Sequence, residues 1–212
     1  MLEIKKYDLP DSLVMSSPGE PVYIWRPDKF YIVLGRACNA ESSLHIETIL
    51  NDKIDILRRP SGGEAVLLSP KMLVFSASKR LPDGASTKQI FSDINRSIIY
   101  HLACMGVKDL HSRGISDISI GDRKIIGSSM YLNHGTIFYH AVLNILEDIS
   151  LISRYLKHPS REPDYRMGRN HDEFVTSLFK EGYRLDFADL EEQISLALKN
   201  VFQPGPPQMY IV

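Results

Sequence analysis

Cysteine is scarce in this 212-residue chain, which carries only Cys38 and Cys104. The two lie far apart, fit no zinc-ligand spacing and cannot build a disulfide framework, so a reducing cytoplasm is the expected setting. An excess of one charge is also missing, since 25 Lys and Arg face 26 Asp and Glu for a net charge of −1. Without a basic field to neutralise a phosphate backbone, nucleic acid is not expected as the main partner. No apolar run nears the roughly 20 residues that cross a bilayer. No basic start is followed by an apolar leader either, so no membrane partner is expected. Internal repeats, heptad arrays and long low-complexity linkers are absent as well. The Walker loop and the Rossmann glycine fingerprint are missing, which excludes those two nucleotide-binding classes.

What is present is a chain that is 43% hydrophobic, enough for one principal core. A single domain over residues 1–205 is expected, with a tail over 206–212. Pro10, Pro18 and Gly19 give the start the character of an irregular arm with at most a short strand. Val22 to Trp25 and Phe30 to Leu34 are β-branched and aromatic runs around Pro27-Asp28-Lys29, which predicts a hairpin-like pair. Further strands are predicted at Ile54 to Arg59, Glu64 to Ser69 and Met72 to Ser78, joined by Ser61-Gly62-Gly63 and Ser69-Pro70-Lys71.

The period then changes. Ile90, Ile94, Ile98, Leu102 and Met105 line one face of a helix over Thr87 to Met105, stopped by Gly106. Strands are expected at Ile118 to Ile120, Lys124 to Tyr131 and Thr136 to Leu146. Helices follow at Ile149 to Leu156, His171 to Phe179 and Asp189 to Phe202, before Pro204 to Pro207 ends the order. Helices packed on a mixed, largely antiparallel sheet make this an α+β fold.

Three segments carry candidate chemistry. In Arg58-Arg59-Pro60-Ser61-Gly62-Gly63-Glu64 a glycine turn exposes main-chain groups beside a guanidinium that can hold an anionic oxygen; read alone, the same turn is also an ordinary strand connection. In Lys124-Ile125-Ile126-Gly127-Ser128 strand alternation places Lys124 and Ile126 on one face. A lysine there either lies partly buried beside an anion or snorkels to water. In Asn133-His134-Gly135 the histidine either donates to a ligand or is a structural or merely solvated turn residue. No residue set suggests a metal site.

In this order and at these separations, the three segments resemble the lipoate-protein ligases, within the wider biotin/lipoate ligase catalytic-domain group. Arg58-Arg59-Pro60-Ser61-Gly62-Gly63 is similar to the family's RRxSGG turn, Lys124 to Ser129 to its KxxGSA-like segment, and His134-Gly135 to its later HG pair. Gly35-Arg36 looks like the family's early GR turn and Arg113 to Asp117 like its RND-type segment. Pro163 to Phe174 is family-like too, its arginines either reaching nucleotide phosphates or forming a solvated loop.

The resemblance implies a biotin/lipoate ligase-like fold and an enzyme that joins lipoate or octanoate to a lysine of a lipoyl carrier domain through an acyl adenylate. ATP is then a substrate, with Mg2+ held by its phosphates. Lys124 becomes the catalytic cation, while Arg59, Ser61, Gly62, Gly63, Val66, Gly127, Ser128, His134 and Gly135 become substrate contacts. Asp117, Arg166 and Arg169 become candidate nucleotide contacts. Departures are Glu64 at a customary third glycine, Leu68 and Ser69 where a histidine-aspartate pair is usual, and Met72 and Val74 at asparagine-type positions. The accessory C-terminal domain of many ligases has no counterpart here, so a separate accessory polypeptide is one expectation. Alternatives are an octanoyl or lipoyl transferase without ATP, using Cys38 at the pocket border, and a non-catalytic lipoyl-binding homologue. Cys104, on the apolar helix, is expected to be a buried structural thiol.

Overall fold

A computed structural model describes residues 2–16, 22–82 and 84–203. The expectations for Pro18, Gly19, Pro204 to Pro207 and the 206–212 tail lie outside the described residues. The chain opens on β1 (Lys5–Lys6) and α1 (Ser12–Ser16), followed by β2 (Val22–Trp25), β3 (Tyr31–Leu34), α2 (Ala40–Ser43) and α3 (Ile46–Asn51). Next come β4 (Asp55–Arg58), β5 (Val66–Leu68), β6 (Met72–Arg80) and α4 (Thr87–Cys104). The strands β7 (Leu110–Arg113), β8 (Asp117–Ile120), β9 (Arg123–Asn133) and β10 (Thr136–Asn144) precede α5 (Ile149–Tyr155), α6 (His171–Phe174) and α7 (Phe187–Phe202).

Two sheets result. A six-stranded antiparallel sheet runs β2-β6-β10-β9-β8-β7, and a four-stranded mixed sheet runs β1-β4-β3-β5. The alternation of β10 explains how the layers are joined. Ile137, Tyr139, Ala141 and Leu143 enter the core that Ile94, Ile98 and Leu102 of α4 share with Leu190, Ile194 and Leu198 of α7. The intervening His140, Val142 and Asn144 face the opposite way, as a pleated strand requires, and line a cavity beside the smaller sheet. Side-chain caps start both long helices: Ser86 accepts from the Gln89 N–H and Asp186 from the Ala188 N–H.

Four local expectations are corrected. The runs β2 and β3 do not form a hairpin: β2 pairs with β6, whereas β3 sits between β4 and β5. The bend after β4 therefore carries the chain past β3 to its far side rather than folding β5 back on β4. The helix expected to run from His171 to Phe179 ends at Phe174. There Val175 takes up extended backbone and bridges to Lys124, and the Thr176 N–H donates to the Lys124 carbonyl, so pairing with β9 overrides the helical period. Finally, Lys124 and Ile126 do not share a face. Ser119 pairs with Lys124 and Ile118 with Ile126, leaving Ile125 as the extra residue of a bulge. Ile126 joins the core under α4 and α7, and Lys124 turns toward Gly127.

Candidate active site

The cavity between the sheets has a volume of about 860 Å³, within the usual range for small-molecule sites. Val66, Leu68, Val74 and Val142 give it an apolar wall, and Lys124, Asp117, Arg113 and Arg166 a polar one. Gly63 and Lys124 both line it, so the glycine bend and the lysine strand, far apart in sequence, meet at one site.

The two arginines before the bend hold main chain. Arg58 Nη1 donates to the carbonyls of Gly35 (2.9 Å), Arg36 (3.2 Å) and Cys38 (2.8 Å). Arg59, buried and on the cavity wall, donates from Nη1 to the Val33 carbonyl at 3.1 Å and from Nη2 to those of Gly62 and Glu64 at 2.9 Å. Its Nε donates to Ser61 Oγ at 3.1 Å. Burial lowers the Arg59 pKa to about 10, which leaves it charged at neutral pH. Both cations thus fix the shape of two stacked turns. The Arg36 N–H donates to the Ser61 carbonyl, and a Cβ at position 35 would lie 1.9 Å from the Gly63 oxygen, so only glycine permits that approach.

On the polar wall, Lys124 Nζ lies 2.8 Å from Asp117 Oδ1 with the lysine side chain 28% exposed. The Tyr165 hydroxyl donates to the other Asp117 oxygen at 2.9 Å. Burial and the neighbouring carboxylate both raise the Tyr165 pKa, burial more, so it remains a proton donor. The lysine chain lies over Gly127, where a Cβ would stand 2.6 Å from Cε. Ser128 donates through N and Oγ to the Ser116 carbonyl, tying β9 to the segment that carries Asp117. Among the described residues, Arg113 Nε and Arg166 Nη2 are buried without a hydrogen-bond partner, an arrangement that calls for an acceptor.

Of the residues singled out in the sequence, Lys124, Arg59, Gly63, Val66, Gly127, Ser128, Asp117 and Arg166 stand on this wall. Five do not. Ser61 is buried beneath the bend, while the Gly62 carbonyl is held by Arg59 and by Ser129 Oγ. His134 and Gly135, with φ of 46° and 75°, form the exposed two-residue tip of the β9–β10 hairpin, because left-handed backbone at both positions is what such a tip requires. Arg169 turns outward to Asp122 at 2.8 Å.

The thiols are elsewhere too. Cys38 is buried and donates to Ser43 Oγ at 3.2 Å, and Cys104 is exposed rather than buried, because the apolar stripe of α4 passes through Leu102 and misses it. Tyr7, Tyr165 and His140 line the cavity without having been singled out. His140 had a signal, a titratable ring on the cavity face of an apolar strand; Tyr7 had none.

A family model described as the lipoyl protein ligase A/B catalytic domain matches residues 9–199. A probable lipoate-protein ligase A of Mycoplasma pneumoniae is 27% identical over 137 residues, 64% of this chain and 39% of that protein. The chain therefore spans about two-fifths of the length of such relatives. Two solved structures are similar at 18% identity. One, from work on an archaeal lipoylation system with a bi-partite lipoate protein ligase and its E2 lipoyl domain from Thermoplasma acidophilum, has a TM-score of 0.76 over 95% of this chain and 80% of its own. The other, a lipoate-protein ligase A bound with ATP, has a TM-score of 0.74 over 95% and 83%.

Proposed function

Because the chain belongs to the lipoyl protein ligase A/B catalytic-domain family, we propose that it activates lipoate or octanoate with ATP and passes the acyl group to a lysine of a lipoyl carrier domain. One observation carries the reading: an ammonium, Lys124, and an apolar wall that includes Val66 and Val142 face the same cavity as the Gly63 bend. That is the combination a fatty acid needs, a dry slot for its chain and a cation for its carboxylate.

In this reading the chain of the acid lies along Val66, Leu68 and Val142, and its carboxylate takes Lys124 from Asp117. Tyr165 keeps Asp117 in place during the exchange, so the released aspartate is not left without a donor. Attack of the carboxylate on the α-phosphorus of ATP expels pyrophosphate and builds charge on the phosphoryl oxygens. A preorganised ammonium in a water-poor cavity stabilises that charge better than bulk water does. The unpartnered Arg113 and Arg166 nitrogens fit the phosphate side of the same adenylate.

Among the described residues no group of three or more His, Cys, Asp or Glu is arranged for a metal, so magnesium would travel on ATP phosphate oxygens. In the second step a neutral carrier amine attacks the acyl carbonyl, AMP departs, and no enzyme-bound acyl group is needed. A bi-partite relative supports the further reading that a second polypeptide assists activation.

The test is to incubate purified protein and a lipoyl domain either with ATP, Mg2+ and lipoate or octanoate, or with preformed acyl-AMP, measuring acyl-AMP and domain mass separately, with and without an accessory chain. Both products are expected. Domain acylation from preformed acyl-AMP alone would restrict the activity to transfer, and neither product in any mixture would leave a binding protein.

A further inference from the structure

Beneath the bend lies a chain of polar groups that the proposed acyl chemistry does not use. The Tyr7 hydroxyl donates to Asp11 Oδ1 at 2.6 Å, Asp11 Oδ2 stands 3.9 Å from His140 Nδ1, and His140 Nε2 is 2.6 Å from Ser61 Oγ. The N-terminal arm, the bend and β10 each contribute. The Arg59 guanidinium orders the protons, because its Nε can only donate to Ser61 Oγ. Ser61 keeps its own hydrogen to give, and giving it to His140 Nε2 leaves the ring proton on Nδ1, the side facing Asp11.

Serine, histidine and aspartate in this sequence have the order of a nucleophilic triad, yet two facts oppose attack by Ser61. The serine is 1% exposed and absent from the cavity wall. Burial, helped by the Arg59 charge, also keeps the His140 pKa at about 3, so the imidazolium that a general base must become is disfavoured. A neutral histidine with its ring proton on Nδ1 is instead an acceptor for the serine hydroxyl. What it fixes is the first residue of the bend. Ser61 leads into Gly62, whose carbonyl is bonded to Ser129 of β9, close along the strand to the Gly127 over which Lys124 lies.

We propose that His140 is a positioning residue: by accepting the Ser61 hydroxyl it holds the Ser61–Gly63 bend against β9 and so shapes the acyl slot opposite Lys124. This rests on the acyl-ligase reading above. It assigns His140 to acyl-acid affinity rather than to the chemical step.

The experiment compares the parent with His140→Leu, His140→Gln, Ser61→Ala and the Ser61→Ala/His140→Leu double variant. Melting temperature, calorimetric binding of octanoate without ATP, and KM and kcat of adenylation are measured for each. Losing the Ser61–His140 hydrogen bond should weaken octanoate binding and raise KM by about tenfold in His140→Leu and Ser61→Ala, with kcat changed much less. His140→Gln, whose amide oxygen can accept the same hydroxyl, should recover most of the loss. The double variant should be no worse than the poorer single one, because the bond that His140→Leu removes is already lost in Ser61→Ala.

Parent-like KM in Ser61→Ala overturns the proposal even if His140→Leu unfolds. Additive losses overturn it also, as does an acyl adduct on Ser61 in the intact mass, which would make the serine a nucleophile after all. Octanoate binding and adenylation by the parent with unchanged variants would sink this inference alone, whereas a parent that neither binds nor adenylates octanoate would sink the ligase reading with it.

Discussion

The ammonium of Lys124 lies across Gly127, so that a methyl group at position 127 would stand 2.7 Å from Nζ and 2.6 Å from Cε. The obstructed atoms are the far end of a flexible side chain, which can move aside at little cost. Gly127→Ala should therefore leave the melting temperature nearly unchanged while lowering adenylation by about tenfold, because catalytic geometry tolerates displacements of only tenths of an ångström. Lys124→Ala should cost on the order of 10²–10³ in rate, the usual loss for a missing charge-stabilising donor. Pyrophosphate-exchange kinetics at saturating octanoate check both; a fully active Gly127→Ala protein would show that the ammonium does not work from this position.

Gly35 makes the opposite kind of contact. Its Cβ would meet backbone, the Gly63 oxygen at 1.9 Å and carbon at 2.8 Å, which cannot rotate away. Gly35→Ala should destabilise the fold by roughly 2–4 kcal/mol or push the bend from its seat. Urea unfolding measures the first outcome and the KM for octanoate the second. Parent-like values of both would show that the two turns are not in the tight contact described.

Much of this architecture was legible in local pattern. The buried Ile94, Ile98 and Leu102 of α4 and the Leu190, Ile194 and Leu198 face of α7 are where a 3.6-residue period puts them. Strand partners were not, because pairing is non-local. Trp25 and Tyr31 are separated by a turn-like Pro27-Asp28-Lys29, yet Trp25 pairs with Val74 and Tyr31 with Asp55 and Leu68. The separation of Lys124 from Ile126 is not legible for the same reason: a bulge belongs to a pair of strands, and one sequence does not display it. Two histidines of one hairpin show the limit at the site. His134 drew notice for its glycine neighbour and sits on the exposed tip, whereas His140, six residues along in a plain apolar strand, lines the cavity.

Asp11 and His140 should have opposite effects on stability as pH changes. Burial raises the Asp11 pKa to about 6, above its unfolded value of about 3.9, so its contribution to stability falls as pH rises through that window. Burial lowers that of His140 to about 3, below an unfolded value of about 6.5, so its contribution is complete above that value and is lost as pH falls. Between pH 7 and pH 5 the histidine should remove about 2 kcal/mol and the aspartate restore about 1 kcal/mol. His140→Gln should abolish the first change and Asp11→Asn the second. Urea melts at pH 5, 6 and 7 decide; parallel curves for parent and variants would mean that neither group titrates differently in the fold.

Glu64 follows the glycine bend and lines the cavity, and its carboxylate reaches the segment after α5. Oε1 accepts from Ser160 Oγ at 3.1 Å and from the Arg161 N–H at 3.2 Å. The segment it grips includes Lys157, Pro159, Arg161 and Pro163 of the cavity wall. Both bonds are exposed, so Glu64→Gly should cost no more than about 1 kcal/mol of global stability. Its effect should be local instead: once the acceptor is gone, the 157–163 segment is released from the bend and the Arg161 amide exchanges with solvent several-fold faster. Glu64→Gln keeps an acceptor oxygen and should restore slow exchange. Hydrogen-exchange mass spectrometry over 157–163 reads this directly, and identical exchange in the parent and Glu64→Gly would show that the carboxylate does not hold the segment in solution.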